Sequence, residues 1–452
     1  MNYITIDLGA TSGRVILVKT NEQKEATFEV IRRFSTKFSE DELGNYIWPI
    51  ESIFENIKQG LKKVNHLPIQ SIGIDSWAVD FLLVNEQENT TSQAVSYRDK
   101  RTNKVKLLPK DFFGEEKLYQ KNGIFPHQFN TINQLAYLNE QGYDFTNQKL
   151  LLIPDYLNYL LTGKMYLEYT NMTTTNMLNE KTKELDTDIL QFLNMDTSNY
   201  PKSVQPTNVC GQLTKVLKQE LGFKEDINVI NIASHDTASA FLCGSAQKDS
   251  VILVSGTWSL LGINTPVLHN DKEFLTLNFS NEGGYKDQYR LLKNVMGMWV
   301  FESVCKEFDC YDYSQIIEDV QRLRDFDYLI NLDEAIFLNP VSMKSIIQEK
   351  CQKLGYKVPQ TQAEFAKIIF HSLAKIYSDN ILNLESLVNK KFQSIYLLGG
   401  GSQNEYLNEL ITKYTNLELT KGPIEASAFG NFLIQALTSQ EITNLNEIKY
   451  YK

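Results

Sequence analysis

The chain has 452 residues, of which 42% are hydrophobic and 22% are charged. This length exceeds what one hydrophobic core supports, so we expect two sizeable domains, with the cleft between them as the place for chemistry. The formal net charge is −10, with Lys and Arg scattered among acids, which argues against nucleic acid as a partner. No run approaches the ~20 apolar residues of a membrane-spanning helix, so we expect no membrane partner.

The amino terminus and the cysteines indicate a cytoplasmic protein. The first apolar run contains Asp7 and no basic leader precedes it, unlike a secretory signal. The five cysteines are an odd and scattered set, so we predict reduced thiols and not a disulfide framework. They are Cys210, Cys243, Cys305, Cys310 and Cys351. The sequence carries no signal for the oligomeric state.

The chain opens with a predicted β-hairpin, in which strands at 3–8 and 14–18 flank the turn GATSG. Further strands are predicted at 70–75 and 81–84, and a helix at 150–163. Gly, Ser and charged residues near 242–250 predict a boundary between lobes.

The second half repeats the hairpin, with VILV (251–254), the turn SGTWS and LLGI (260–263). The repetition indicates duplication of one lobe. Triple glycine within 394–415 predicts strand, turn and helix, and long helices are predicted near 294–307, 343–354 and 362–389.

The first hairpin turn has the composition of a phosphate site. Its small and hydroxyl-bearing residues let a phosphate approach successive backbone amides, and an arginine adds positive charge. Asp7 ends the preceding strand, where a carboxylate can hold Mg²⁺ through water. The alternative is an ordinary tight hairpin with an exposed Asp. The turn residues are Ala10, Thr11, Ser12, Gly13 and Arg14.

Two later turns have similar chemistry. In VSGTWS (254–259), the Thr257 hydroxyl could contact a triphosphate from the second lobe while the first hairpin turn binds it from the first lobe. In LLGGGSQN (397–404), the glycines, Gly400 among them, would let an adenosine pass close to the backbone. A plain hairpin and a tight strand-to-helix turn are the alternatives.

Asp236 is the candidate general base, because it lies among small residues in NIASHDTASAF (231–241). Phosphoryl transfer to a sugar alcohol requires a carboxylate within reach of the attacking hydroxyl. The alternative makes His235 and Asp236 the N-cap of a helix that starts at Thr237, and both interpretations can hold together.

A fifth group suits a polyol, since acids, an arginine and an aromatic side chain recur within 71–103. Surface or core positions are the alternative for most of them. The group comprises Asp75, Trp77, Asp80, Arg98 and Asp99.

In their order along the chain, these segments resemble the FGGY carbohydrate kinases over nearly the whole length. Within that family the chain is similar to the members that act on L-rhamnulose, notably in the Tyr-Thr-Asn-x-Thr-Thr-Thr and Leu-Lys-Asn-x-Met-Gly-x-Trp runs. The motifs that carry the resemblance include DLGATSGR (7–14), GIDSWAVDF (73–81), EYTNMTTTNML (168–178), ASHDTASA (233–240), SGTWSLLG (255–262), NEGG (281–284), LKNVMGMWV (292–300), LGGGSQN (398–404) and GPIEASAFGN (422–431).

The resemblance implies an α/β fold of two actin-like (ribonuclease H-like) lobes, at 1–243 and 244–452. Each lobe would be a mixed sheet flanked by helices, with an interdomain catalytic cleft. The implied reaction transfers phosphate from ATP, with Mg²⁺, to O1 of L-rhamnulose.

The resemblance also implies the roles of single residues. Asp236 would be the base and Asp7 would hold the metal. Sugar contacts would come from Ala78, His235, Asp236, Thr237 and Asn294. ATP contacts would come from Ala10, Thr11, Ser12, Gly13, Arg14, Thr257, Glu302 and Gly400.

Two positions depart from the pattern. Ala78 stands where some relatives have Gly, and its methyl group could narrow the sugar pocket. Glu302 stands where some relatives have Gln, and an inward carboxylate would repel phosphate. A kinase for L-fuculose or L-xylulose remains an alternative, as does a nucleotide-gated sugar sensor that has lost catalysis.

Overall fold

The structure is a computed structural model that describes residues 1–245, 247, 249–338 and 340–450. Its strands are β1 (Asn2–Leu8), β2 (Ser12–Thr20), β3 (Glu25–Ser35), β4 (Ser39–Glu40), β5 (Tyr46–Ile47), β6 (Ser71–Ser76), β7 (Phe81–Asn85), β8 (Thr90–Thr91), β9 (Lys149–Leu152), β10 (Leu167–Glu168), β11 (Leu178–Asn179), β12 (Glu184–Leu185), β13 (Ser203–Val204), β14 (Asn208–Gln212), β15 (Asn228–Asn231), β16 (Ser250–Ser255), β17 (Trp258–Thr265), β18 (Ser280–Gly283), β19 (Tyr289–Met296), β20 (Ser394–Leu398), β21 (Glu418–Lys421) and β22 (Lys449–Tyr450).

Its helices are α1 (Ile50–Lys63), α2 (Pro109–Phe113), α3 (Glu115–Asn122), α4 (Thr131–Glu140), α5 (Ile153–Thr162), α6 (Tyr169–Met172), α7 (Thr187–Phe192), α8 (Lys215–Leu221), α9 (Asp236–Leu242), α10 (Lys272–Thr276), α11 (Trp299–Phe308), α12 (Tyr313–Arg322), α13 (Met343–Lys353), α14 (Gln362–Val388), α15 (Glu405–Thr415) and α16 (Ala426–Thr438). No helix in these described ranges is both long enough and apolar enough to span a membrane.

Backbone contacts divide the chain into two compact units that are not continuous in sequence. The first comprises Met1–Ala246, Asn264–Leu291 and Ala426–Lys452, and the second comprises Gln247–Ile263 and Leu292–Glu425. The sequence-based division at 243 and 244 is a single cut and stays a prediction.

The first unit is built on a seven-stranded sheet in the order β14-β15-β6-β1-β2-β3-β22. Strand β1 pairs antiparallel with β2 and parallel with β6. Helix α1 buries Ile50, Ile53, Ile57 and Leu61, whose spacing of three or four residues puts them on one helix face. Helix α16 packs against α9, β1 and β6, and most of its buried apolar side chains belong to a second hydrophobic core cluster.

The second unit repeats this pairing, since β16 is antiparallel to β17 and parallel to β20. Its strands follow the order β19-β17-β16-β20-β21. The long helix α14 is mostly buried, and a capping box between Thr361 and Glu364 fixes its start. Both predicted hairpins are therefore confirmed, together with the recurrence of the same construction.

Two predicted helices begin later than their sequences indicate. In the segment 150–163, the first residues belong to β9, which pairs with β7, and the helix begins at Ile153 beside Pro154. In the segment 294–307, residues up to Met296 extend β19 and the helix begins at Trp299. Short apolar runs have no period that separates strand from helix, and both runs proved to be strands.

Candidate active site

Asp7 and Asp75 are adjacent acids on neighbouring strands of the first unit. The register pairs Asp7 on β1 with Asp75 on β6, both strands running in the same direction. Asp75 is fully buried, and its Oδ2 accepts a hydrogen bond of 2.7 Å from Asn431 Nδ2 on α16. Its Oδ1 accepts no hydrogen bond from the described parts of the chain. Burial, and then the negative charge of Asp7, raise the pKa of Asp75 well above its ordinary value.

Arg14 on β2 lies opposite Asp7, and its guanidinium donates a hydrogen bond to Asp7 Oδ2. The predicted metal residue and the predicted phosphate residue are therefore an ion pair in this structure. A cation that can pair with Asp7 can also pair with the oxygens of a phosphate.

The turn between β1 and β2 is closed by its own backbone. The Gly9 N–H donates to the Ser12 C=O at 3.0 Å, and Thr36 Oγ1 donates to the Gly9 C=O at 2.5 Å. Gly13 has a packing reason to be glycine, because a Cβ there would come within 2.6 Å of the Phe34 ring. Its small size is therefore explained without a ligand.

Asp236 is the first residue of α9, so the helix begins one residue earlier than the N-cap alternative places it. His235 is at the N-cap position, but its side chain makes no capping hydrogen bond. Asp236 Oδ1 accepts from the Thr237 N–H at 2.5 Å and from Thr237 Oγ1 at 3.0 Å. About a third of its side-chain surface, 33%, stays exposed. Burial of the rest raises the pKa of Asp236; His235 opposes this shift, and Asp7 adds to it.

A chain of charged groups continues from Asp236 into the interior. His235 Nε2 lies 3.4 Å from Asp236 Oδ1, and His235 Nδ1 lies 3.2 Å from Glu282 Oε2. Arg290 Nη1 lies 2.9 Å from the same Glu282 oxygen, and Arg290 is only 1% exposed. Burial alone would raise the pKa of Glu282, but the charges of Arg290 and then His235 outweigh it and lower this pKa to about 2.

The residues of the predicted sugar region lie in different places in the structure. Asp80 is completely buried and accepts hydrogen bonds from the indole N–H groups of Trp48 and Trp77, at 2.6 and 3.1 Å. Burial raises the pKa of Asp80 to about 6, and the Trp48 donor opposes the shift. The core alternative is therefore right for Asp80 and Trp77, whereas Asp75 lies beside Asp7.

Ala78 lies in a strained turn between β6 and β7. The Asp80 N–H donates to the Ala78 C=O at 2.9 Å across Val79, whose φ is +66°. Positive φ is rare for a β-branched residue and persists only where the surroundings enforce it. Thr131 Oγ1 does so here, because it donates to the Val79 C=O at 2.6 Å.

In the second unit, the turn of the second hairpin is fixed by the segment that starts α11. The N–H groups of Met298 and Trp299 donate to the Gly256 and Thr257 carbonyls at 2.9 and 3.0 Å. A Cβ at Gly297 would come within 2.7 Å of these carbonyl oxygens. Two further predicted contacts lie nearby in the chain: Asn294 is half-buried on β19, and Glu302 is exposed on the first turn of α11.

The three consecutive glycines have different reasons to be glycine. Gly399 has a φ of +86°, and a Cβ there would come within 2.6 Å of the Ser255 carbonyl oxygen. Gly401 also lies against Ser255 on β16. At Gly400, by contrast, a Cβ would have no heavy atom within 4 Å among the described residues. Gly400 therefore borders open space, which is what a ligand-facing glycine requires.

Sequence reasoning missed the pairing of Asp75 with Asp7 and the ion pair of Glu282 with Arg290 beside His235. The first had a usable signal, because each acid ends an apolar run that reads as a strand, and carboxyl ends of parallel strands share one sheet edge. The contact between His235 and Glu282 had none, since it depends on how two distant segments pack.

Two family models match the chain. The N-terminal domain of the FGGY family of carbohydrate kinases matches residues 2–243, and the C-terminal domain of that family matches residues 251–439. A rhamnulokinase of Halalkalibacterium halodurans is 39% identical over 455 residues, which cover 99% of this chain and 96% of that protein. A rhamnulokinase of Enterobacter sp. is 37% identical and covers 99% and 91%.

Solved structures show the same fold at low identity. A ligand-bound xylulose kinase from Lactobacillus acidophilus has a TM-score of 0.80 at 18% identity, covering 99% of this chain and 91% of that one. Plasmodium falciparum glycerol kinase with ADP has a TM-score of 0.78 at 14% identity, covering 98% and 91%. Together, the two matched domains and the near-full-length relatives show that this chain belongs to the FGGY family of carbohydrate kinases.

Proposed function

We propose that this protein phosphorylates L-rhamnulose at O1, with ATP as the donor, to give L-rhamnulose 1-phosphate and ADP. The substrate follows from the two rhamnulokinases that are 37–39% identical to it over 99% of its length. The observation that carries the chemistry is the Asp236 carboxylate, which is partly exposed, starts a helix and is linked to a buried ion pair.

In this reaction Asp236 acts as the general base. The 1-hydroxyl oxygen of the sugar forms a bond to the γ-phosphorus, the bond from that phosphorus to the β,γ-bridging oxygen breaks, and the hydroxyl proton passes to the Asp236 carboxylate. The two Thr237 donors both bind Oδ1. This arrangement leaves Oδ2 of Asp236 as the oxygen for the proton.

Asp7 and Asp75 fit a role in holding Mg²⁺. Asp75 Oδ1 is a buried acceptor without a donor in the described ranges, and carboxylate oxygens are the ligands that Mg²⁺ prefers. The described residues contain no group of three or more His, Cys, Asp or Glu side chains arranged to hold a metal ion. Water and phosphate oxygens would therefore complete the shell. When bound, the ion neutralises charge on the transferred phosphoryl group.

The proposed ATP site uses the nucleotide contacts that the sequence predicts. Backbone amides at 10–14 would bind phosphates, Thr257 would add its hydroxyl, and Gly400 would lie under the adenosine. Glu302 is exposed, so its carboxylate can turn to solvent and need not oppose a phosphate. The five cysteines are free thiols, which suits a reducing compartment, and we propose the cytoplasm.

Substitution of the consecutive glycines separates ATP binding from folding. Gly400→Ala is expected to raise KM for Mg·ATP about tenfold, with no change in melting temperature, because its added methyl group meets only the proposed ligand. Gly399→Ala is the matched control and should lower the melting temperature, because its methyl group meets backbone at a positive φ. Kinetics and thermal unfolding measured side by side test both expectations.

Unchanged nucleotide kinetics in Gly400→Ala would show that this turn does not face ATP. The same outcome would leave the packing role of Gly399 intact, since that role rests only on contacts within the turn.

A sugar panel tests the substrate. A coupled assay of ADP release with Mg·ATP should give the highest kcat/KM for L-rhamnulose among L-rhamnulose, L-fuculose, L-xylulose, D-xylulose and glycerol. Selection through one methyl group is worth only about 10–200-fold, so the preference is measured as a ratio. A preference for another sugar would support a kinase but contradict L-rhamnulose as its substrate. No activity with any of the five sugars would favour the sensor alternative.

A further inference from the structure

The segment Glu168–Thr175 is one of the motifs that carry the family resemblance, and the mechanism above assigns it no role. Glu168 is completely buried and caps α6, where Oε1 accepts from the Thr170 N–H at 2.8 Å and Oε2 from the Asn171 N–H at 3.2 Å. Thr170 Oγ1 also donates to Oε2, at 2.7 Å. A helix of one turn does not need a buried carboxylate as its cap, because a hydroxyl or amide side chain serves as well.

The same carboxylate reaches the loop that carries the base. Glu168 Oε2 accepts from the Ser234 N–H at 3.0 Å and from Ser234 Oγ at 2.8 Å. On its other side, the Ser234 C=O accepts from the Ser76 N–H at 2.9 Å. Ser234 is thus held from two directions, two residues before Asp236.

The segment also holds the strand that carries Glu282. Thr173 Oγ1 accepts from the Gly283 N–H at 2.8 Å, and Arg290 Nε donates to the Gly283 C=O at 2.9 Å. The approach is so close that a Cβ at Gly283 would come within 2.6 Å of the Tyr169 ring. One short segment therefore contacts both the residue before His235 and the strand that carries Glu282, the partner of His235.

We propose that Glu168 is a positioning residue that sets the place of the Asp236 carboxylate through Ser234. The inference rests on the proposed function, because the transfer of the sugar proton to Asp236 is the step that it serves. Five donors meet this one carboxylate, and four of them, both Ser234 groups included, share Oε2. A neutral side-chain amide would bind the Ser234 donors more weakly than the charged carboxylate does, and its own N–H would oppose the Thr170 N–H. A small displacement of a catalytic group is costly, since about 1 Å can lower the rate 100-fold.

The test uses Glu168→Gln in the full chain. We expect kcat for sugar phosphorylation to fall about 10–100-fold, with KM for Mg·ATP within about twofold of the wild-type value. Asp155→Asn is the matched control: Asp155 is a neighbouring buried carboxyl whose Oδ1 accepts the Glu168 N–H at 3.2 Å, and an amide oxygen can keep that bond. It should leave kcat within about twofold.

Ser234→Ala tests the route of the effect and serves if Glu168→Gln does not fold. It removes one of the two Ser234 donors, so kcat should fall about threefold to tenfold. In the double variant, Ser234→Ala should add less than about twofold to the effect of Glu168→Gln, because both act through one contact. Thermal unfolding of every variant, followed in parallel, separates this coupling from a general loss of fold.

An unchanged kcat in folded Glu168→Gln or Ser234→Ala overturns the positioning role, as does a kcat loss in Asp155→Asn equal to that in Glu168→Gln. In each of these outcomes the wild-type enzyme is active, so the proposed function stands. A wild-type enzyme that is inactive with all five sugars contradicts the proposed function and the positioning role together.

Discussion

Replacing Asp236 by Asn is expected to lower kcat for sugar phosphorylation by about 10²–10⁴-fold, which is the usual contribution of a positioned general base. The amide keeps the size of the side chain and an oxygen for the two Thr237 donors, but it cannot accept the sugar proton. The measurement is steady-state ADP release with saturating Mg·ATP and sugar.

The pH profile gives the same assignment a second test. Burial raises the pKa of Asp236, so kcat of the wild-type enzyme should fall on the acid side at a pH above the ordinary aspartate value. Asp236→Asn should lose this limb. Full activity in the variant, or an unchanged acid limb, would remove Asp236 from the role of base.

The same substitution should not destabilise the fold. A group whose pKa is raised in the folded state binds its proton more tightly there than in the unfolded chain, so its contribution to stability is largest at low pH and is lost as pH rises through the folded pKa. At a pH above its folded pKa, Asp236 is ionised against this preference. Asp236→Asn removes that strain, and its melting temperature should match or exceed that of the wild type.

Asp7→Asn is expected to lower kcat/KM for Mg·ATP about 10–100-fold, the range typical for loss of an outer-shell partner of a metal site. The reason is the loss of one of the two acid side chains that β1 and β6 bring together. A Mg²⁺ titration at fixed ATP should show half-activation at a correspondingly higher concentration.

Asp99→Asn is the control for that titration. Asp99 lies in the same unit, and its oxygens accept from the Arg101 and Tyr46 N–H groups, so it holds two backbone segments and has no assigned metal role. Its Mg²⁺ dependence should equal that of the wild type. Equal shifts in Asp7→Asn and Asp99→Asn would attribute the effect to a general change in the fold and not to the metal.

The parts of the fold that the sequence predicts are those fixed by neighbours along the chain. The hairpin around residues 9–13 follows from two apolar runs and a turn of small residues, and the structure confirms it. The fold class is also confirmed, through the two matched domains. The helix predicted at 150–163 is wrong at its start because an apolar run of four residues has no distinguishing period.

The parts of the site that the sequence does not predict depend on long-range register. Judged from its own segment, Asp75 is a candidate sugar contact. Only the pairing of β1 with β6 places it beside Asp7. Glu168 and Glu282 each reach the loop 234–236 from segments more than forty residues away in the chain. No local pattern contains such distances, and the roles assigned to the site residues remain predictions for the experiments above.

The position of α16 in the first unit has a consequence for how the protein is made. Asn431 is 356 residues from Asp75, and Gln435 on the same helix binds Ser71 at a separation of 364. A ribosome therefore releases nearly the whole chain before the sheet that carries both acids can gain its last covering helix. Contacts of such long range form late and slowly, and the nascent protein stays open to chaperones until then. A half-synthesised chain thus contains both Asp7 and Asp75 but lacks the Asn431 amide that hydrogen-bonds Asp75.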